Sequence, residues 1–350
     1  PLTFESILNK PVYTKLFDGY LRHISLIEEA ELLIIAPATA NTINKIACGI
    51  ADNFLTTMYL AFSGPVLIAP AMNSKMYDHY SVKKSLRDLA HHGVKFIGPE
   101  SGSLACGDKG TGRMTEVQDI VEAVKTMLSP KDLAGRDIVI TAGPTREQID
   151  PVRFISNRSS GKMGFAIATV ALRRGAKVTL ISGPTCLTPP KGASFVQIES
   201  AAEMESAVLK NMGKTTTIIK AAAVSDFAPL KTSKTKIPKS GRTTLNIKKT
   251  PDILHNLGRK KGRRVLIGFA AETGKSISKA KAKLKEKNLD LIVMNDTTQP
   301  GAGFDVDTNI VTLIDRKGKT IAHPLMSKED VANVILDKLV KINSQKKQAD

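Results

Sequence analysis

The feature that most constrains the fold is a series of short apolar runs that alternate with amphipathic segments after residue 137. The runs have the length and composition of buried strands, and the segments between them have helical apolar spacing. Such alternation is typical of a mainly parallel sheet with helices on both faces. It predicts a doubly wound, Rossmann-like α/β domain with strands at 138–142, 178–182, 195–198, 217–223, 265–270 and 291–294.

A glycine-containing stretch, Asn157–Gly164, follows the first of these strands. Apolar residues recur at helical spacing from Met163 onwards, which places Gly161 at a helix N-terminus, where free backbone N–H groups attract phosphate. The stretch is not a Walker A loop, because Ser156 and Met163 stand where that motif needs Gly and Ser or Thr. A compact Gly-x-Gly-x-x-Gly fingerprint is missing as well. The stretch predicts an anion site, with a glycine-rich surface turn as the other interpretation.

Two further strand ends of this domain carry residues that suit a ligand. The fourth predicted strand runs into Ala221–Phe227, where small residues let a ligand approach the backbone. Asp226 could bind a ribose or a metal ion there, or simply cap a turn. Phe269 lies at the end of the fifth strand, and Lys236 and Lys239 lie on a long loop of the kind that closes over phosphates. Ligands of open α/β sheets bind at the carboxyl ends of strands, so we expect one crevice.

The first part of the chain offers fewer strand ends. A predicted strand at 32–36 is followed by Thr39 and Asn41, which could hold a cofactor phosphate or cap the next helix. A second strand, at 66–69, ends close to Asn73. Cys106 lies in a glycine-rich loop with little apolar cover, where a reactive thiol and an inert one are both possible. The residues alone favour a structural histidine at His23.

The sequence also indicates where the two domains meet and what kind of ligand the chain binds. We place a domain boundary between residues 128 and 129, giving a first domain over 1–128 and a second over 129–350. The formal net charge is +18, and residues 231–264 hold twelve Lys or Arg against one acid. This basic run indicates an anionic partner. It lacks the aromatic residues on which nucleic-acid bases stack, so we expect a small phosphorylated ligand rather than nucleic acid, unless the run is only a solvated loop.

Other features bear on location and completeness. No apolar run approaches twenty residues, so we expect no membrane association. Three widely spaced cysteines suggest neither a disulfide framework nor a zinc site, which fits the cytoplasm. The chain begins at Pro1 with only one strand-like run before its first loop–helix unit. We therefore expect the beginning of the first domain to be missing.

The assembled motifs resemble those of the bacterial bifunctional phosphopantothenoylcysteine decarboxylase/phosphopantothenate-cysteine ligase family of coenzyme A biosynthesis. The resemblance covers nearly the whole chain. Its most specific motifs are Pro70–Asn73, Ala105–Asp108 with Gly112–Met114, Ser156–Gly164, and Ala222–Phe227.

For the first domain, the resemblance implies a flavodoxin-like fold of the homo-oligomeric flavin-containing Cys decarboxylase type. In that family FMN oxidises the cysteinyl thiol, carbon dioxide leaves and the ene-thiolate is reduced. The same resemblance gives Cys106 the role of proton donor, His23 that of active-site base and Asn73 that of holding the substrate carboxylate. Thr39 and Asn41 match positions near the FMN. This changes the interpretation of His23, and the incomplete start leaves ligase-only activity as an alternative.

For the second domain, the resemblance implies that CTP and Mg²⁺ activate 4′-phosphopantothenate as an acyl-cytidylate, which cysteine then attacks. The amides and side chains of Ser159, Ser160, Gly161 and Lys162 would hold phosphates. Asn157 would contact the acyl intermediate, and Lys236 or Lys239 would be the loop lysine. Nucleotide-binding positions, with Asp226 also as the metal ligand, would be Ala223, Asp226, Phe227 and Phe269.

The resemblance also implies ligase dimers and decarboxylase trimers. Two other classes remain open from the residues alone. The doubly wound sheet permits an NAD-linked oxidoreductase, although the compact glycine fingerprint is missing. The positive charge also permits a non-catalytic flavoprotein or a nucleic-acid-binding regulator, which salt-sensitive DNA binding would reveal.

Overall fold

The computed structural model describes residues 2–16, 22–103, 107, 109–239, 244–272, 277–296, 299 and 301–348. The chain divides into two compact units, residues 1–129 and 130–350. Within the described residues, no helix has the length and apolar character needed to cross a membrane. Cys106 lies outside the described residues.

Unit 1 is built around a parallel sheet of order β1-β2-β3, in which Ile35 pairs with Ile68. Its elements are α1 Leu2–Leu8, α2 Arg22–Glu29, β1 Leu33–Ala38, α3 Ala40–Ala47, α4 Phe54–Ala61, β2 Val66–Pro70, α5 Ser74–Asp78, α6 Tyr80–His91, β3 Lys95–Phe96, β4 Glu100–Ser103, β5 Lys109–Arg113 and α7 Val117–Leu128.

The sheet of unit 1 is covered on both faces. Ile43 of α3 and Leu89 of α6 pack with Ile35 on one face, and Ile120 of α7 packs with Leu67 on the other. This double cover explains why β2 is buried along its whole length and reads as a continuous apolar run. Strands β4 and β5 pair separately as an antiparallel hairpin.

Unit 2 contains an eight-stranded sheet of order β10-β9-β6-β11-β14-β15-β17-β18. The elements of this unit are β6 Asp137–Ala142, β7 Arg146–Gln148, β8 Phe154–Ser156, α8 Lys162–Arg173, β9 Lys177–Ser182, β10 Ser194–Gln197, α9 Ala201–Lys210, β11 Thr217–Lys220, β12 Phe227–Pro229, β13 Ile247–Lys249, α10 Ile253–Lys260, β14 Val265–Glu272, α11 Ile277–Glu286, β15 Leu291–Asp296, β16 Thr308–Asn309, β17 Val311–Asp315, β18 Thr320–Ala322, β19 Met326–Ser327 and α12 Lys328–Gln348.

The first six strands of this sheet run parallel, and their order reverses between β6 and β11. In chain order they lie as 3-2-1-4-5-6, the arrangement of dinucleotide-binding α/β folds, which leaves a crevice at the reversal. Alternate strand residues face opposite layers: Ile138 and Ile140 pack under α8 and α12, whereas Val139 packs under the layer of α9, α10 and α11. The predicted α/β class and doubly wound sheet are confirmed.

One predicted strand end needs correction. The fourth strand ends at Lys220 rather than residue 223, because Ala223 N donates to the carbonyl of Gly143 instead. Asn309 pairs with Met326 in the short β16–β19 ladder, outside the β17–β18 hairpin. The last helix continues to Gln348, and in its first turn Asp330 N donates to Ser327 Oγ at 3.0 Å.

Candidate functional site at the carboxyl ends of the strands

A cavity of about 520 Å³ opens between the N-terminus of α8 and the carboxyl ends of β11 and β14. Its position is the crevice that the strand-order reversal creates. The structure brings most of the predicted second-domain residues together in its lining, namely Asn157, Ser159, Ser160, Gly161, Lys162, Ala223, Asp226 and Phe269. Phe227 lines an adjoining cavity of about 300 Å³, which shares Asp226 with the first.

Two glycines allow α8 to begin at this cavity. Gly161 is the N-cap residue and has φ of +78°, a left-handed conformation that L side chains rarely adopt. Gly164 lies where the helix meets β6, and a Cβ there would stand 2.5 Å from the Cβ of Ala142. The helix N-terminus therefore approaches the strand end closely, with its first N–H groups facing the cavity side of the sheet.

Asn157 joins the α8 loop to the end of β11. Its Nδ2 donates to the carbonyl of Val224 at 2.9 Å, and the neighbouring Ser156 Oγ donates to the carbonyl of Thr145 at 2.8 Å. Thr145 in turn accepts a bond from Ser225 N at 3.0 Å through its Oγ1. Hydrogen bonds thus hold three separate loops at fixed spacing around the cavity mouth.

The segment 303–309 forms another wall that sequence reasoning missed. Ser160 Oγ donates to the carbonyl of Phe304, and Lys162 Nζ contacts both the Asp305 carbonyl at 2.8 Å and Asp307 Oδ1 at 2.7 Å. On the other side, Lys328 Nζ donates to the Phe304 carbonyl at 3.2 Å. Burial, with the nearby Lys162 charge, lowers the pKa of Lys328, while Asp307 and Asp305 oppose this. Lysines on α8 and α12 therefore clamp this segment.

Lys220, the last residue of β11, is a further lysine that sequence reasoning missed. It lines both cavities and is half-buried. Burial lowers its pKa from 10.5 to about 8, helped by the charges of Lys283 and Lys287 and opposed by Asp252 and Asp226. Because the folded-state value lies below the unfolded one, this lysine costs stability in full below pH 8, and the cost fades between pH 8 and 10.5. A charged residue ending an otherwise apolar strand was the available signal.

Lys283 of α11 completes the basic floor of the cavity. Its Nζ donates to the carbonyl of Phe269 at 3.3 Å, so the α11 side chain reaches the end of β14. Lys287, one turn further along, binds Asp252 Oδ2 at 2.7 Å. Burial raises the pKa of Asp252, but the bond from Lys287 and other donors outweigh it and leave that pKa low. The arrangement can stabilise several negative charges on one ligand.

The loop lysines are placed differently. Lys236 and Lys239 are exposed and are not among the described residues that line either cavity. Asp150 fixes the loop between them, since Ile237 N donates to its Oδ2 at 3.2 Å. Arg153 adds a bond to the Ile237 carbonyl at 2.7 Å. Contact of these lysines with phosphate therefore stays a prediction.

The candidates of unit 1 lie on separate elements. Thr39 is the N-cap of α3, where its Oγ1 accepts from Thr42 N at 3.3 Å, and Asn41 is exposed in the first turn. Asn73 caps α5 just after β2, accepting from Lys75 N at 2.8 Å. His23 lies near the start of α2, which packs against α4.

The β4–β5 hairpin, whose connection contains Cys106, is attached to the Asn73 segment. Met72 N donates to the carbonyl of Gly112 at 2.9 Å, and a Cβ on Gly110 would stand 3.0 Å from the Cβ of Ser74. The strand end after β2 and the glycine-rich hairpin are therefore neighbours in unit 1.

Asp226 was also predicted to bind metal. In the described part of the chain, no group of three or more His, Cys, Asp or Glu side chains is arranged around a common metal position. A Mg²⁺ ion carried by a polyphosphate needs only one or two protein carboxylates, so the exposed Asp226 remains compatible with that role.

Known proteins match both units. Residues 133–342 match the family of the DNA/pantothenate metabolism flavoprotein C-terminal domain, and residues 1–129 match the flavoprotein family. A coenzyme A biosynthesis bifunctional protein CoaBC of Bacillus subtilis (strain 168) is 48% identical, over 99% of this chain and 87% of that protein. A cysteine/cysteine sulfinic acid decarboxylase of an unknown prokaryotic organism is 44% identical, over 97% of this chain and 98% of its own.

A solved structure agrees with the sequence matches. The C-terminal domain of a coenzyme A biosynthesis bifunctional protein CoaBC superposes with a TM-score of 0.54 at 44% identity, covering 61% of this chain and 99% of that domain. The resemblance seen in the motifs is confirmed, and so is the flavodoxin-like class of the first domain. The chain belongs to the family of coenzyme A biosynthesis bifunctional proteins, which join a flavoprotein domain to a DNA/pantothenate metabolism flavoprotein C-terminal domain.

Proposed function

We propose that this chain makes 4′-phosphopantetheine in two consecutive steps of coenzyme A biosynthesis. Unit 2 ligates 4′-phosphopantothenate with cysteine at the expense of CTP, and unit 1 decarboxylates the phosphopantothenoylcysteine that results. The single observation that carries the ligase half is the cavity where Asn157–Gly164 faces the strand ends. Family membership supports both activities.

The ligation divides into two displacements. The carboxylate of phosphopantothenate attacks the α-phosphorus of CTP, an acyl–O–P bond forms, and pyrophosphate leaves. The amine of cysteine then attacks the acyl carbon, the amide forms, CMP leaves, and the amine loses its proton to solvent. Both steps gather negative charge on phosphoryl oxygens, so the main task of the protein is to position and neutralise them.

The lining residues suit those tasks. N–H groups at the start of α8, with Ser159, Ser160 and Lys162, would hold the phosphates. The Asn157 amide lies between the α8 loop and β11, where it can contact the acyl intermediate. The positive charges of Lys220 and Lys283 would attract the triphosphate and offset its negative charge.

Nucleotide recognition falls to the ends of β11 and β14. The small Ala223 lets the nucleotide approach the backbone, and Phe227 and Phe269 offer ring faces to it. Asp226 would bind the ribose or the Mg²⁺ that accompanies CTP. Lys236 or Lys239 would reach the phosphates only if the loop anchored by Asp150 moves inwards.

FMN fits the donors of unit 1. Thr39 and Asn41 present an exposed hydroxyl and amide at the N-terminus of α3, directly after β1, where a flavin phosphate would find N–H donors. Bound FMN would supply the oxidation and reduction that accompany loss of carbon dioxide. Asn73 would hold the substrate carboxylate, His23 would act as base, and Cys106 would donate the proton.

A homo-oligomer is part of this proposal. Phe154, Leu230 and Ile247 are each at least 42% exposed, and they lie on or beside the adjoining hairpins β7–β8 and β12–β13. An exposed apolar patch of this kind fits an interface between ligase units. Light scattering should give a mass that is a multiple of 37.7 kDa.

Release of CMP and pyrophosphate from CTP, phosphopantothenate and cysteine tests the ligase directly. FMN is then added, and 4′-phosphopantetheine is measured by mass spectrometry. CMP with phosphopantetheine supports both activities. CMP with only the cysteinyl product restricts the chain to ligation, and absence of CMP rejects the ligase assignment.

A second candidate function for unit 1 is decarboxylation of free cysteine or cysteine sulfinic acid. It is favoured by the relative of that name, which matches this chain over almost its whole length. Incubation with FMN and free cysteine, without phosphopantothenate or CTP, separates the two. Release of carbon dioxide under these conditions would support the second candidate, and release only from phosphopantothenoylcysteine would support the first.

A further inference from the structure

A second large cavity, of about 620 Å³, lies at the opposite end of the unit 2 sheet. Arg136, Thr216 and Arg264 directly precede β6, β11 and β14, so this cavity opens at the amino ends of the same central strands. We call it the amino-end cavity. It is separate from the candidate active site, since the two share no lining residue.

The lining of the amino-end cavity is unusually cationic. Its described residues include no acid and no aromatic, and the cations among them are Arg136, Lys261, Arg263, Arg264, Arg316 and Lys346. They come from four places in the chain: the start of β6, the turn between α10 and β14, the turn after β17, and the C-terminal part of α12. Folding therefore gathers charge that is dispersed in the sequence.

One buried carboxylate is shared by half of these cations. Asp290 is 3% exposed and lies 2.9 Å from Lys261 Nζ, 3.1 Å from Lys346 Nζ and 3.9 Å from Arg316 Nη1. It also accepts from the backbone N–H of Leu266 at 2.9 Å. A single carboxylate cannot neutralise three cations, so positive charge remains in excess here.

Other features of the lining point the same way. Arg264 donates to the carbonyl of Met212 at 3.1 and 2.8 Å, which fixes its guanidinium without neutralising it. The pKa of Lys261 is lowered by burial and by the charges of Lys346 and Arg316, against the opposing effect of Asp290. Asn343 Nδ2 is buried and finds no acceptor among the described residues. The lining thus offers a fixed guanidinium and an unsatisfied amide donor to a ligand.

We propose that the amino-end cavity binds a compact polyanion carrying two or more phosphate groups. Its volume of about 620 Å³ lies in the range of small-ligand sites. Nucleic acid is disfavoured because the described lining offers no ring for base stacking. Arginine forks and lysine point charges are the side chains that bind phosphate most strongly.

Calorimetric titration with inorganic triphosphate, in metal-free buffer at low salt, tests this proposal. The test variant is Arg263→Gln/Arg316→Gln, which removes two exposed cations from the lining. The matched control is Lys281→Gln/Lys285→Gln, which removes two exposed charges from α11 outside the cavity. We expect the test variant to lose one binding event or to bind roughly tenfold more weakly, while the control resembles the wild type.

The candidate active site could also bind triphosphate, so the location needs its own readout. Hydrogen exchange of the wild-type chain should show that triphosphate protects backbone amides at 261–264 and 315–318. This measurement does not depend on any variant folding and does not require ligase activity. Wild-type protein without a triphosphate binding event, equal binding by all three proteins, or binding without protection of these segments would each overturn the proposal.

Discussion

The two ends of the unit 2 sheet carry two cavities that differ in the groups they offer to an anion. At the carboxyl ends, the cavity is built from glycines, small residues and the N-terminus of α8. Three of its lysines, Lys162, Lys283 and Lys328, donate to backbone carbonyls, and Lys162 also pairs with an exposed carboxylate. At the amino ends, cationic side chains surround a buried acid, Asp290, which also accepts from the backbone N–H of Leu266. Backbone geometry forms the first site, whereas side-chain charge forms the second.

Two Lys–Asp ion pairs with similar N···O distances, one at each end, illustrate this difference. Lys261 and Asp290 are 2.9 Å apart and 6% and 3% exposed, whereas Lys162 and Asp307 are 2.7 Å apart and 31% and 88% exposed. A buried pair cannot lose one partner without leaving an uncompensated charge in a poorly solvated place. An exposed pair exchanges its partner for water.

Asp290→Ala should therefore have the largest effect on stability. The substitution leaves the buried Lys261 ammonium without its carboxylate partner and removes the acceptor of Leu266 N. We expect it to lower the free energy of unfolding by about 3–5 kcal/mol. Asp307→Ala is the matched control and should leave stability nearly unchanged. Urea titration followed by hydrogen exchange of β14 and β15 amides measures unit 2 alone. If both variants lowered the free energy of unfolding equally, burial of the ion pair would not explain the difference between the two ends of the sheet.

Asn157→Asp should have the next largest effect, and on chemistry rather than stability. The variant keeps the size of the side chain but replaces the amide donor to the Val224 carbonyl with a carboxylate. We expect acyl-cytidylate to form and then persist, with amide formation slowed by roughly 10²–10³-fold, as for loss of one catalytic donor.

Quenched-flow separation of pyrophosphate release from CMP release measures this effect. Pyrophosphate should appear at nearly the wild-type rate, and CMP should lag behind it. Wild-type yields of the cysteinyl product would count against a role for Asn157, and an equal fall in both rates would place its contribution before the acyl intermediate.

The basic run shows how far sequence alone could reach. It predicts an anionic ligand, but folding divides it: Lys236 and Lys239 lie on an exposed loop, whereas Lys261 and Arg263 line the amino-end cavity. Spacing along the chain cannot reveal this division, because it does not show that the loop before α10 and the turn after α10 lie at different places in the fold. The strand segments of the parallel part of the sheet and the helix N-terminus at Gly161 were predictable because each depends on local pattern.

The lysines of the candidate active site show what sequence could not supply. Lys220, Lys283 and Lys328 lie on three distant elements. Lys220 is marked only as the charged end of an apolar strand, and nothing in the local sequence of Lys283 or Lys328 distinguishes them from the other lysines of the chain. They meet because β11, α11 and α12 all end or begin at the same edge of unit 2. Long-range packing determines this, and a periodic pattern does not encode it.

Gly164→Ala tests whether backbone approach forms the carboxyl-end site. The new Cβ would stand 2.5 Å from the Ala142 Cβ and 3.1 Å from the Thr141 carbonyl, so α8 must move away from β6. Overpacking of this kind should cost about 1–3 kcal/mol and weaken CTP binding as well. Gly213→Ala, at the amino-end side with nothing within 4 Å, is the control and should change neither quantity. Thermal unfolding and CTP titration measure both, and unchanged CTP affinity in Gly164→Ala would contradict the argument.

The smallest effect concerns protons at Lys220. Its pKa of about 8 means that it is half neutral at pH 8 before ligand binds. A triphosphate beside it favours the charged form and raises this pKa, so CTP binding at pH 8 should take up as much as about half a proton. Calorimetry in buffers of different ionisation enthalpy measures the uptake, which should vanish in Lys220→Met and persist in Lys281→Met. Persistence in Lys220→Met would mean that the proton binds elsewhere, and that side-chain charge contributes less at the carboxyl ends than backbone geometry does.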